Sequence, residues 1–141
     1  MRNIIYFLGV FSFLIFSCGT QQTTVAEANA DQQEEPVRIA NDSLEYEIII
    51  FDIGFNNYLN SIAKPMGFYS QNYLETRNIV YVSEWNNRAQ NPSVFNSNIY
   101  ENIIDYQPGI DYGLEVNYKL FNYFQFAQRK YNMRLGNFRV Q

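Results

Sequence analysis

Asp111-Tyr112-Gly113-Leu114-Glu115-Val116-Asn117-Tyr118-Lys119-Leu120-Phe121-Asn122-Tyr123-Phe124-Gln125-Phe126-Ala127-Gln128-Arg129-Lys130-Tyr131 is the stretch that decides the fold. Val116, Leu120, Tyr123, Phe124, Ala127 and Tyr131 recur at helical spacing and make one apolar stripe. Tyr118 and Phe121 widen it, so a helix over about 112–132 is expected, buried on more than one side. Gln107-Pro108-Gly109 makes a turn ahead of it and Asp111 supplies the N-cap. The acids Asp111 and Glu115 stand at its start and the bases Arg129 and Lys130 near its end, as the helix dipole favours.

A helix this apolar needs partners, and the flanking sequence offers them. Ser70 reads as the N-cap of a second helix over 71–89, with Leu74, Asn78, Tyr81, Trp85 and Arg88 along one stripe. Ile79-Val80-Tyr81-Val82 taken alone favours a strand, but the stripe continues on both sides of it. Leu44 to Phe51 begins by alternating and ends in a β-branched run, as a strand entering a core does. Asp52 is expected to cap a short helix carrying Phe55, Leu59 and Ile62, which Pro65 stops. Ile99 to Tyr106 reads as a second strand. The expected fold is α+β and mostly helical: three helices packed on a minimal two-stranded sheet made from 44–51 and about 99–106. Two strands alone are marginal and need helices over them.

The N-terminal part reads differently. Arg2 gives a positive start, Ile4 to Phe16 an apolar run, and Ser17 a small residue before Cys18, the order of a secretion signal over 1–17. Thirteen apolar residues span roughly 20 Å, short of the roughly 30 Å hydrocarbon core. Residues 19–42 are polar, without apolar periodicity, and read as a flexible tether with a reach of roughly 27 Å. The expected organisation is a signal peptide 1–17, a modified cysteine and acidic tether 18–42, and one aromatic-rich domain 43–141.

Composition excludes more than it includes. There is no histidine and Cys18 is the only cysteine, which removes Ser-His-Asp and Cys-His catalysis, intramolecular disulfides and structural zinc. The seven glycines form no phosphate loop. The formal charge of −4 sits in the tether: Glu27, Asp31, Glu34, Glu35 and Asp42 stand against Arg38 alone. The near-neutral domain lacks the basic face of a nucleic-acid binder, and Arg129, Lys130, Arg134 and Arg139 read as a solvated helix end. No nucleic acid, cofactor or metal is expected. Asp105 and Asp111 lack the liganding pattern of a calcium loop.

Leu14-Ile15-Phe16-Ser17-Cys18 resembles the lipobox of bacterial lipoproteins. The resemblance implies a diacylglycerol thioether on Cys18, cleavage before it and acylation of the new terminus, hence membrane attachment. Gly19, in place of the aspartate that retains some lipoproteins in the inner membrane, favours the outer membrane. The other reading is an ordinary signal peptide with an incidental cysteine. Asp42-Ser43-Leu44 resembles an O-glycosylation site of Bacteroidetes-type bacteria, or is a plain linker–strand junction. Tyr73-x-Glu75, Tyr81-Val82-x-Glu84-Trp85-Asn86-x-Arg88 and the block Ile110 to Leu120 resemble an uncharacterised family of small Bacteroidetes-type lipoproteins over about 44–131. That family has no assigned activity, so the resemblance carries over no catalytic residue.

The residues singled out for a site are Tyr81, Glu84, Trp85 and Arg88 on the second helix, with Asp111 and Tyr112. On one reading they form an aromatic platform with polar arms for a sugar, peptide or lipid headgroup. On the other, Tyr81 and Trp85 pack in the core while Glu84 and Arg88 tie the helix down. The expected function is a membrane-anchored envelope lipoprotein acting as a non-enzymatic binding module for a protein or glycan. The alternatives are a structural envelope subunit and a carboxylate-based hydrolase drawing on Glu84, Glu101, Asp105, Asp111 or Glu115.

Overall fold

The computed structural model describes residues 35–140. The readings over 1–17, at Cys18 and over 19–34 lie outside the described residues. The order of elements is β1 (Val37–Asn41), β2 (Tyr46–Ile50), α1 (Phe55–Ser61), α2 (Gln71–Ala89) and α3 (Gly113–Lys130). The class is the expected α+β, three helices with a two-stranded antiparallel sheet.

The strand partner is not the expected one. β2 pairs with β1, Val37 opposite Ile50 and Asn41 opposite Tyr46, so residues 37–41 of the expected tether belong to the sheet. The reason is local. Val37 and Ile39 alternate with Arg38 and Ala40, and a short turn brings the two strands together at small loop-closure cost. Asn41 Oδ1 accepts the Ser43 N–H at 3.0 Å, and Glu45 reverses the chain through a left-handed φ of 51°. Ser43, the candidate glycosylation residue, is exposed in that turn. Ile39 and Ile50 point into the core, while Arg38 lies outward and pairs with Glu47 and Asp42. Those pairs are exposed, so each contributes at most about 1 kcal/mol.

Residues 99–106 form no strand. Their backbone is held by α2 instead. The Asn86 carboxamide donates to the Ile104 carbonyl at 2.8 Å and accepts the Ile104 N–H at 2.8 Å, doing for one residue what a neighbouring strand would do. Trp85 Nε1 donates to the Asn102 carbonyl at 3.0 Å.

α2 matches the expected range, and Ser70 Oγ accepts the Tyr73 N–H at 3.3 Å. α3 starts at Gly113 and its N-cap is Tyr112, not the expected Asp111, whose Oδ1 accepts the Gly113 N–H from one residue further out. It stops two residues early because Asn132 turns left-handed at φ 48°. Asp52 does not cap α1; Gly54 occupies that position, and the Asp52 carboxylate accepts from Lys130 and from the Tyr131 hydroxyl at 2.9 Å. α1 buries Phe55 and Tyr58, leaving Ile62 exposed beyond its end.

α3 is the spine, packed against α2, β1 and α1 and buried from Leu120 through Gln128. Full burial of a side chain such as Phe124 or Leu120 contributes about 1.5–3 kcal/mol. The buried polar residues on this helix have partners. Asn122 and Gln128 donate to carbonyls one turn back, Gln125 donates to the Tyr81 hydroxyl, and Gln128 Oε1 receives the Leu135 N–H.

Candidate functional site

The six residues singled out from sequence do not form an open face. Tyr81 is 1 % exposed, its ring against Phe124 and Phe138 and its hydroxyl accepting from Gln125 at 3.1 Å. Burial pushes its pKa up. Trp85 is 3 % exposed and meets Tyr100 edge-on at 5.0 Å. Arg88 spends its guanidinium on Glu84 at 2.7 Å, the Tyr100 hydroxyl at 2.8 Å and the Arg134 carbonyl. The block Glu84-Trp85-Asn86-x-Arg88 is therefore a clamp that fastens 99–106 and the C-terminal segment to α2. Tyr112 is buried, stacked on Tyr106 at 4.7 Å and against the tilted ring of Tyr46 at 4.5 Å. Asp111, exposed, accepts from Gly113 and from Gln71 Nε2.

Three of the five carboxylates considered for a hydrolase are similarly spent. Glu84 is paired with Arg88, Glu115 with Lys119 at 2.7 Å, and Asp111 with the start of α3. No group of three metal-ligating side chains exists among the described residues.

What the clamp leaves behind is a cleft. With 98–105 held by α2, a space of about 590 Å³ opens between that segment and β2. One wall is 45–52 and the other 98–105; Trp85, Tyr123 and Tyr131 contribute from the helices behind. Sites for small ligands and peptide segments have volumes of this order. The rim is apolar: Ile49 is 47 % exposed, Phe51 76 % and Ile103 59 %. The polar part of the lining is anionic, with Glu45, Glu101 and Asp105 and no lysine or arginine. Glu47 and Asp52 also line it but are neutralised by Arg38 and Lys130.

A family model described as a family of unknown function, DUF6146, matches residues 5–141. The chain belongs to that family. No curated protein and no solved structure matches it. In this DUF6146 chain the cleft is the feature that sequence reasoning missed. It depends on Asn86 outcompeting a strand for the backbone of Ile104, and nothing in a lone asparagine on a helix announces that. Two further details mark the DUF6146 cleft. The Tyr46 hydroxyl is buried with no hydrogen-bond partner among the described residues, and burial, reinforced by Tyr112 and Asp105, pushes its pKa well above the ordinary tyrosine value. Tyr131, whose hydroxyl donates to Asp52, is pushed up to about 12, by burial first and by that hydrogen bond second.

Proposed function

We propose that this protein is a lipid-anchored cell-envelope module, attached through Cys18 and held off the bilayer by a polar acidic spacer, which binds a partner through the cleft between β2 and 98–105. The anchor rests on the order of Arg2, the apolar run 4–16 and Leu14 to Cys18. The absence of an aspartate at position 19 favours the outer membrane. The binding role rests on one observation: apolar side chains at Ile49, Phe51 and Ile103 are exposed around a cleft of about 590 Å³. Exposed apolar groups gathered round a concavity mark interaction sites more often than scattered ones do. The role is binding and not catalysis, since the chain has no histidine and most of the acids considered for a hydrolase are engaged in ion pairs or caps.

Two measurements test the two halves. Cys18→Ser should move the protein from the membrane fraction to the soluble fraction, and mass spectrometry of the native chain should find acyl groups on residue 18. An unmodified thiol there would remove the anchor. Phe51→Ser with Ile103→Ser should abolish retention of envelope protein or glycan by the full-length chain while leaving its melting temperature within about 2 °C, because both side chains are solvent-facing. Equal retention by the double variant would remove the cleft as the binding face.

A further inference from the structure

We infer that the occupant of the cleft is an extended, cationic polypeptide segment of another protein, which adds itself as a strand to the outer edge of β2. The inference rests on the binding role proposed above and narrows it to one class of partner.

The backbone makes the first part of the case. Among the described residues β2 has a partner only on its β1 side, so alternate N–H and C=O groups on its other edge are left for a further strand. Proteins ordinarily blunt such an edge with lysine, proline, a bulge or a covering loop. Here the segment placed to cover it, 98–105, is held away. The opposite wall is tied to the helix behind it: the Asn102 carbonyl and both backbone groups of Ile104 are directed at α2. A strand laid between the walls finds main-chain partners along β2 and apolar contacts at Ile49 and Phe51, which is the recognition mode of strand addition.

Charge makes the second part and selects among occupants. Among the described residues Glu45, Glu101 and Asp105 line the cleft without an ion-pair partner, and no lysine or arginine lines it. The spacer of this same chain carries Glu27, Asp31, Glu34 and Glu35, so like charges oppose its folding back into the cleft. A segment that alternates apolar with Lys or Arg side chains matches both the rim and the field.

The sole tryptophan lines the cleft, so its fluorescence reports occupancy. Full-length protein is titrated with a short peptide of alternating valine and lysine, its valine–glutamate counterpart, and the lysine peptide N-methylated at alternate residues. The lysine peptide should bind saturably, weaken as salt rises, and slow hydrogen exchange at the amides of 46–50. The other two should bind at least about tenfold more weakly. Glu101→Lys with Asp105→Lys should reverse the preference between lysine and glutamate peptides. Equal binding of both charges, or binding that leaves the β2 amides unprotected, overturns the inference. So does concentration-dependent self-association that protects those amides without peptide, which would make a second copy the occupant. If no peptide binds while Phe51→Ser with Ile103→Ser still abolishes retention of an envelope ligand, this inference falls and the broader binding role stands.

Discussion

At the scale of single residues, Asn86 and Tyr46 have opposite energetic standing. Asn86 is a helix residue whose carboxamide satisfies both backbone groups of Ile104. Asn86→Ala leaves a part-buried N–H and C=O without partners, which costs about 2–3 kcal/mol. The expected result is a clear fall in chemical-denaturation midpoint, together with faster hydrogen exchange at Ile104. Tyr46 carries a hydroxyl that is buried and unpaired among the described residues. Tyr46→Phe keeps the ring packed against Tyr112 and deletes only that hydroxyl. Its melting temperature should equal or exceed that of the parent, and a fall of several degrees would show that the hydroxyl has a partner in solution. The tyrosines explain themselves physically: a phenol fills apolar volume with its ring and finds a partner at the edge with its oxygen. Tyr106 does so on Asn117 Oδ1 at 2.6 Å and Tyr118 on the Lys64 carbonyl at 2.7 Å.

At the scale of elements, what sequence reveals depends on length and periodicity. α2 and α3 were legible because each sustains an apolar stripe over several turns, and α2 also has its Ser70 cap. The hairpin was half legible. β2 announces itself in Tyr46-Glu47-Ile48-Ile49-Ile50, but β1 is short, holds Arg38 and abuts a polar stretch, so composition hid it. Its pairing is visible only once Asn41 and Glu45 shape the turn. The 99–106 segment misled for the converse reason: its composition suits a strand, yet side chains of α2 hold its backbone. The C-terminal segment is an element by packing alone. Leu135 is fully buried, and Gly136, at φ +90°, lies where a Cβ would come within 2.9 Å of Val80 Cγ1. Gly136→Ala should therefore destabilise the fold by about 1–3 kcal/mol, through backbone strain and crowding together. A thermal melt checks this, and unchanged stability would mean that the segment docks loosely. Ser70→Ala, which removes the hydroxyl receiving the Tyr73 N–H, should cost about 1 kcal/mol.

At the scale of the whole molecule, burial of phenols sets the response to pH. Tyr46, Tyr58, Tyr69, Tyr81, Tyr106, Tyr118, Tyr123 and Tyr131 all have raised pKa values, with burial the largest cause in each. Tyr106 and Tyr131 reach about 12. A tyrosine that ionises near pH 10 when unfolded and near 12 when folded favours unfolding as pH climbs through that interval, because the unfolded chain then binds fewer protons. Stability should fall steeply above about pH 10, with circular dichroism and tyrosinate absorbance changing together. Tyrosinate forming well before the loss of helical signal would contradict it. The same packing produces the cleft. Aromatic side chains from α1, α2 and α3 fill the centre, the hairpin lies against α3, and the clamp on α2 holds 98–105 apart from β2.

The sequence by itself determined the class of fold, the two long helices and the lack of histidine and of a second cysteine. These follow from periodicity, capping and composition, which act over neighbouring residues. Only the tertiary structure decided which segment pairs with β2, that Tyr81, Trp85 and Arg88 face inward, and that an anionic cleft stands beside a free strand edge. Those outcomes turn on competition between distant groups for the same backbone hydrogen bonds. A carboxamide on α2 won one of those contests.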